Sequence, residues 1–225
     1  MDDEPQDDLD ALIRRVDPDR WMSSRFVTHA QVRADLIALY AFDHELARAL
    51  RVASNPLIGE IRLTWWREAL DEIFEGRPVR RHPTALALAD VVGRRNLDRA
   101  RLEAIIEARA RELDGSLADE PAALAWAHEA GGDVAELAAR ILDPAADAPA
   151  ARLAGAAWAL GRKTADTPSL APLVARTLGE ARAAVCRLSP AAFPAVAHAA
   201  LAACPAASPL SKRLRLTWAV ARGRI

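Results

Sequence analysis

An all-α fold is predicted by three observations. Apolar residues recur at helical period in every long segment, no segment alternates at period two for long enough to make a strand, and alanine, leucine, arginine and glutamate dominate the composition. The 225 residues can bury one sizeable core, and no Gly/Ser-rich or Pro-rich linker divides them. One helical domain over 17–225 is therefore expected, preceded by an acidic segment over 1–16.

The elements follow from start and stop signals. Asp17-Pro18 opens a short helix over 18–26. In the next, over 30–51, Val32, Leu36, Leu39, Asp43, Leu46 and Leu50 are spaced by fours and threes, the inward stripe of an amphipathic helix. Asn55 is an N-cap with Pro56 at the first helical position, and Gly76 with Pro78 ends that helix near 75. Pro83, Pro121, Pro149, Pro168, Pro190, Pro205 and Pro209 punctuate the remainder, which reads as helices over 83–94, 98–114, 120–142, 150–165, 169–188, 191–203 and 209–222.

Polar groups on inward faces mark the candidate site. Asp43 stands where a leucine is expected, and the stripe Ile58, Ile61, Trp65 runs on into Glu68 and Glu72. Two readings are open: Asp43 satisfies a helix end or an arginine while the glutamates are solvated, or the acids line a polar pocket. His44, Arg48 and Arg51 share the same helix, and Arg62 or Arg67 can approach from the next, offering forked donors suited to phosphate oxygens. The competing reading pairs Arg48 with Glu45 or His44 at the surface. Of the tandem Trp65 and Trp66, only one can face a given cavity, because adjacent helical residues diverge by about 100°; plain core packing explains both equally.

Other chemistry lacks an anchor. The net charge of −1 carries no nucleic-acid footprint, and Lys163 and Lys212 are the only lysines. The five histidines are scattered without metal-ligand spacing, and neither a G-x-S-x-G nor a glycine-rich phosphate loop occurs. His128-Glu129 reads as a solvated helix pair. Cys186 and Cys204 are expected as reduced, buried thiols. An acidic opening and the lack of a long apolar run predict a cytoplasmic protein. The last helix puts Leu210, Leu214, Trp218 and Ala221 on one side amid Lys212, Arg213, Arg215 and Arg222, a pattern that fits docking onto the domain's own core or peripheral contact with the membrane's inner face.

The run D-P-D-R-W-M-S-S-R-F at 17–26, A-L-Y-A-F at 38–42 and W-R-E-A-L-D-E-I-F-E-G-R-P-V-R-R-H-P at 66–83 resembles the squalene/phytoene synthase family in order and spacing. Weaker likeness continues through 106–114, 126–138 and 154–160. The resemblance implies the isoprenoid synthase type I fold, in which two aspartate-rich segments on facing helices hold magnesium ions against a prenyl diphosphate. Aligned on Tyr40-Ala41-Phe42, the first segment's aspartates fall on Ala47, Arg48 and Arg51; the second meets Gly161-Arg162-Lys163-Thr164-Ala165-Asp166. Two of the first segment's three carboxylates are thus replaced by cations, which repel a metal cluster, and the one aspartate of the second, Asp166, cannot make that motif. A divergent branch of the family, including a mitochondrial factor for assembly of respiratory complex I, keeps the frame without these motifs. H-E-L-A-R at 44–48, W-W-R-E-A-L at 65–70 and A-R-x-x-x-L-D at 108–114 resemble that branch.

The expectation is a noncatalytic member with no cofactor, no metal ligand and no catalytic residue, acting by binding a partner protein or an isoprenoid-like ligand. Its candidate pocket comprises Asp43, His44, Arg48, Arg51, Arg62, Trp65 and Glu68. The alternative is a magnesium-dependent synthase joining two prenyl diphosphates head to head, with Glu68, Asp71, Glu72 or Asp166 replacing the lost ligands. A scaffold without any cavity is the third reading.

Overall fold

A computed structural model describes residues 4–51, 55–113, 115, 119–204 and 206–225; Asp114, which closes the 108–114 run, and Pro205 lie outside the described residues. Among those described, the helices are α1 (Glu4–Val16), α2 (Pro18–Ser24), α3 (Ala30–Arg51), α4 (Pro56–Phe74), α5 (Pro83–Arg95), α6 (Arg99–Leu113), α7 (Glu120–Ala127), α8 (Asp133–Leu142), α9 (Ala148–Lys163), α10 (Ala171–Ala184) and α11 (Pro209–Arg222). Short 3-10 turns cover Pro168–Leu170, Val185–Arg187, Phe193–Ala195 and Ala197–Leu201.

α3 is the axis of the bundle. Its middle stretch, Leu36 to Phe42, is buried on every side, as befits a helix with neighbours all round. Contacts reach it from α1, α2, α4, α5, α6 and α8. Asp35, at the entrance to this stretch, is fully buried and accepts from Arg94 Nη2 at 2.7 Å and Arg95 Nε at 2.8 Å, which ties the end of α5 to α3. Two charge-assisted bonds on one carboxylate are what make its burial tolerable.

α4 begins as its sequence requires. The Asn55 side chain accepts from Ile58 N at 3.0 Å, and Pro56 fills the first helical position. Asn55→Ala is expected to cost about 1 kcal/mol, seen in a melting scan as a drop of about 2–4 °C for a domain of this size.

Several expectations are corrected. Within the acidic segment, for which partial order was expected and no helix was assigned, Glu4–Val16 forms one: Leu9, Leu12, Ile13 and Val16 keep helical spacing among the charges, and Leu9 and Ile13 enter the core against α3. The region 191–203 is two 3-10 turns rather than one helix, because Pro194 in mid-segment has no N–H to donate and its ring cannot accommodate the carbonyl four residues back. The run 120–142 is not uniform, since His128–Gly132 winds as a π-helical turn between α7 and α8. There Glu129 pairs with Arg111, so His128-Glu129 is not merely a solvated pair. Both cysteines are free, but Cys186 is exposed and Cys204 half-buried. α11 docks through Leu216 and Ala219, leaving Leu210, Leu214 and Trp218 outward. No helix of the described residues is long and apolar enough to cross a membrane.

Candidate binding site

The polar interior begins with two residues of α2. Asp17 caps the helix, accepting from Arg20 N at 3.3 Å, and this turn directs the Arg20 side chain inward. Arg20 is 2% exposed, and its guanidinium lies over the ring of Trp158, 4.1 Å from the centroid, and near Tyr40 at 5.2 Å. Stacking on aromatic faces offsets part of the cost of burying the cation.

Arg20 Nη1 donates to Asp43 Oδ2 at 2.5 Å, and Arg109 Nη2, from α6, donates to the other oxygen at 2.8 Å. Arg109 Nη1 continues to Glu112 Oε2 at 2.9 Å, and Glu112 pairs in turn with Lys163 of α9. At the far end Arg162, also on α9, stands 3.6 Å from Asp17 Oδ1. Cation and carboxylate alternate around a circuit that leaves α9 at Arg162 and returns to it at Lys163.

Burial works to raise the pKa of Asp43, yet Arg109 and Arg20 overcome it and hold the carboxyl at about 2. Glu112 is lowered in the same way, burial being outweighed by Arg109 and Lys163. Asp17 goes the other way: burial raises it more than Arg20 and Arg162 pull it down. His44 is lowered by burial and by Arg51, which keeps its imidazole neutral near neutral pH.

Beside this circuit is a cavity of about 600 Å³. Ala47 and Arg51 of α3 line one wall, Arg162, Lys163 and Asp166 the facing one, with Trp126, Trp158, Leu50, Ala130 and Ala159 supplying apolar surface. Lys163 Nζ sits 5.2 Å from the Trp126 ring centroid. Arg20, Arg51, Arg109, Arg162 and Lys163 outnumber the lining carboxylates Asp17, Asp43, Glu112 and Asp166. Asp17, Asp43 and Glu112 are each already held by cations. Among the described residues no three His, Cys, Asp or Glu side chains are placed to hold a metal ion. The donor set therefore does not fit a magnesium cluster, which needs several carboxylate oxygens free to face the ion.

The sequence-predicted site residues divide between two places. Asp43, His44 and Arg51 line this cavity. Arg48, Arg62 and Trp65 line a second one of about 370 Å³ on another side of α3, together with Glu45, Trp66 and His82. Arg48 pairs with Glu45 at 3.1 Å, and Arg67 with Glu107 at 2.8 Å, so neither joins a phosphate cluster with Arg51. Glu68 lines neither cavity; with Glu72 it holds Arg80, which lies over Trp65. Contrary to the expectation that only one of the tandem tryptophans could face a given cavity, both line the second one, Trp66 buried against Phe42 and Trp65 half-buried, because their rings converge edge to face 5.0 Å apart. Cavities at α3 remove the scaffold reading.

Arg20, Arg109, Glu112, Trp126, Trp158 and Lys163 are site residues that stripe analysis missed. A signal existed, because all six stand inside stretches compared with the family: Arg20 in D-P-D-R-W, Arg109 and Glu112 in 106–114, Trp126 in 126–138, Trp158 in 154–160 and Lys163 in 161–166.

Comparison with known proteins identifies the family and the fold. A family model described as squalene/phytoene synthase matches residues 13–170. Complex I assembly factor 6 of Bos taurus is 33% identical over 103 residues, which is 46% of this chain and 30% of that protein. Its human counterpart is 31% identical over a match of the same extent. The match thus spans less than a third of these relatives' length. Among solved structures, a dehydrosqualene synthase in complex with ligand superposes with a TM-score of 0.78 at 13% identity, covering 97% of this chain and 96% of that one. Squalene synthase HpnC from Alicyclobacillus acidocaldarius gives 0.67 at 14% identity, covering 97% and 94%. At such identities the likeness is one of fold.

Proposed function

As this chain belongs to the squalene/phytoene synthase family, we propose that it is a noncatalytic member that binds an anionic, isoprenoid-like amphiphile directly through side-chain cations, in a role of the assembly-factor kind. One observation carries the reading: where the resemblance places metal-binding aspartates, the cavity presents Ala47 and Arg51 on one wall and Arg162 and Lys163 on the other. Guanidinium forks and an ammonium neutralise phosphate oxygens without a metal bridge. The apolar part of the ligand would meet Trp126, Trp158 and the alanine surface of α9.

In this reading binding takes the place of turnover, because the carboxylates that would gather magnesium ions around a departing diphosphate are missing from the cavity wall. The similarity to complex I assembly factor 6 supports a role in which the filled domain engages a protein partner.

A thermal-shift titration with a non-hydrolysable geranylgeranyl diphosphate analogue tests this. At about 100 times Kd the ligand should add about 2.7 kcal/mol, roughly 5–10 °C, equally with Mg²⁺ and with chelator. Arg51→Ala combined with Arg162→Ala should abolish the shift, read against the variant's own unliganded melt because Arg162 also stands beside buried Asp17. Stabilisation that requires Mg²⁺, or diphosphate released from geranylgeranyl diphosphate, would replace this reading with the synthase.

A further inference from the structure

α11 carries its apolar stripe on the wrong side for a helix that only packs. The inward face, Leu216 and Ala219 with half-buried Val220, suffices to dock it, and Lys212 Nζ secures it to Asp19 of α2 at 3.0 Å. On the opposite face Leu210, Leu214 and Trp218 are 67%, 64% and 62% exposed. They follow one another at intervals of four, so they form a continuous ridge rather than scattered surface residues.

The charge around this ridge has one sign. Arg213 flanks it on one side and Arg215 and Arg222 on the other, all exposed. Arg222 lies over the outward Trp218 ring, 4.2 Å from its centroid. α11 itself carries no acidic residue, and among the described residues Lys212 is the one of its cations paired with an acid of another helix, Asp19.

We propose that this face of α11 is a docking surface for an anionic membrane. The helix would lie in the interfacial plane, with Leu210, Leu214 and Trp218 entering the acyl boundary and the arginines at the level of the lipid phosphates. Tryptophan suits that depth, having an apolar body and a polar N–H. A second copy fits the face poorly. Three side chains fall well short of the ~800 Å² per partner of a stable dimer, and a two-fold axis through the ridge would set the arginines against their own copies. Membrane docking by α11 does not depend on what fills the cavity.

The test is co-flotation of the full chain with neutral phosphatidylcholine vesicles and with vesicles about a third phosphatidylglycerol. Binding is expected to the anionic vesicles alone and to be lost in high salt. Arg213→Gln with Arg215→Gln should weaken it about 25-fold, and Trp218→Ala by tenfold or more. All these side chains are exposed, so melting temperatures should stay unchanged, and brominated lipids should quench Trp218. No binding, or binding indifferent to lipid charge and to these substitutions, overturns the proposal. So does a dimer in light scattering that Trp218→Ala dissociates without any vesicle binding, which assigns the ridge to a second copy.

Discussion

Asp43→Ala is expected to destabilise the protein by about 3–5 kcal/mol, lowering its melting temperature by about 10 °C or more. The carboxylate is 5% exposed and joins Arg20 to Arg109, so its removal strands two buried guanidiniums. Asp43→Asn keeps the shape and isolates the charge. Because the folded pKa is about 2, below the ordinary 3.8, the ionised form contributes about 2 kcal/mol at neutral pH. That contribution is complete above about pH 4 and is lost as pH falls through about 2. Urea titrations of wild type and Asp43→Asn should therefore diverge at neutral pH and converge in acid. A gap that persisted at pH 2 would show that shape, and not charge, makes the site stable.

Gly155→Ala should also destabilise, by about 2–3 kcal/mol, against the roughly 1 kcal/mol that helix propensity alone would add in favour of alanine. At this position α9 crosses the π-helical turn and α8. An added Cβ would collide with the carbonyl oxygen of Gly131 and stand 2.6 Å from the Ala135 Cβ. Backbone is what it meets, so the helices must part, and the wall of the cavity formed by Trp158, Ala159, Arg162 and Lys163 moves with α9. Gly179→Ala in α10 is the control. Nothing lies within 4 Å of its added Cβ, so propensity alone acts there and alanine should stabilise by about 0.5–1 kcal/mol. Thermal melts of the two variants should shift in opposite directions.

The same contrast explains how far the sequence can be read. Helix boundaries such as Ala30–Arg51 and Pro209–Arg222 were legible because local signals decide them: apolar spacing in the one and proline at the first turn of the other. The failure at 191–203 is local as well, since Pro194 outweighs the helical preference of its alanines. α1 escaped because its charges hid a four-residue stripe that tertiary packing nonetheless uses.

The site was legible only as far as one helix reaches. Asp43, His44 and Arg51 could be marked as inward and polar because they share α3. Arg48 could not be separated from them, three residues before Arg51, until the neighbours of each face were known. Asp43's partners are 23 and 66 residues away in sequence, and no periodicity links such distances.

Taken alone, the sequence determined the all-helical class, the order of the main helices and the family, because these depend on residue type and short-range spacing. The tertiary structure decided which cations face the cavity, that α2, α3, α6 and α9 close one charge circuit, and that the ridge on α11 looks outward. Those outcomes depend on how helix faces rotate against one another, which is settled by packing among residues far apart in the chain.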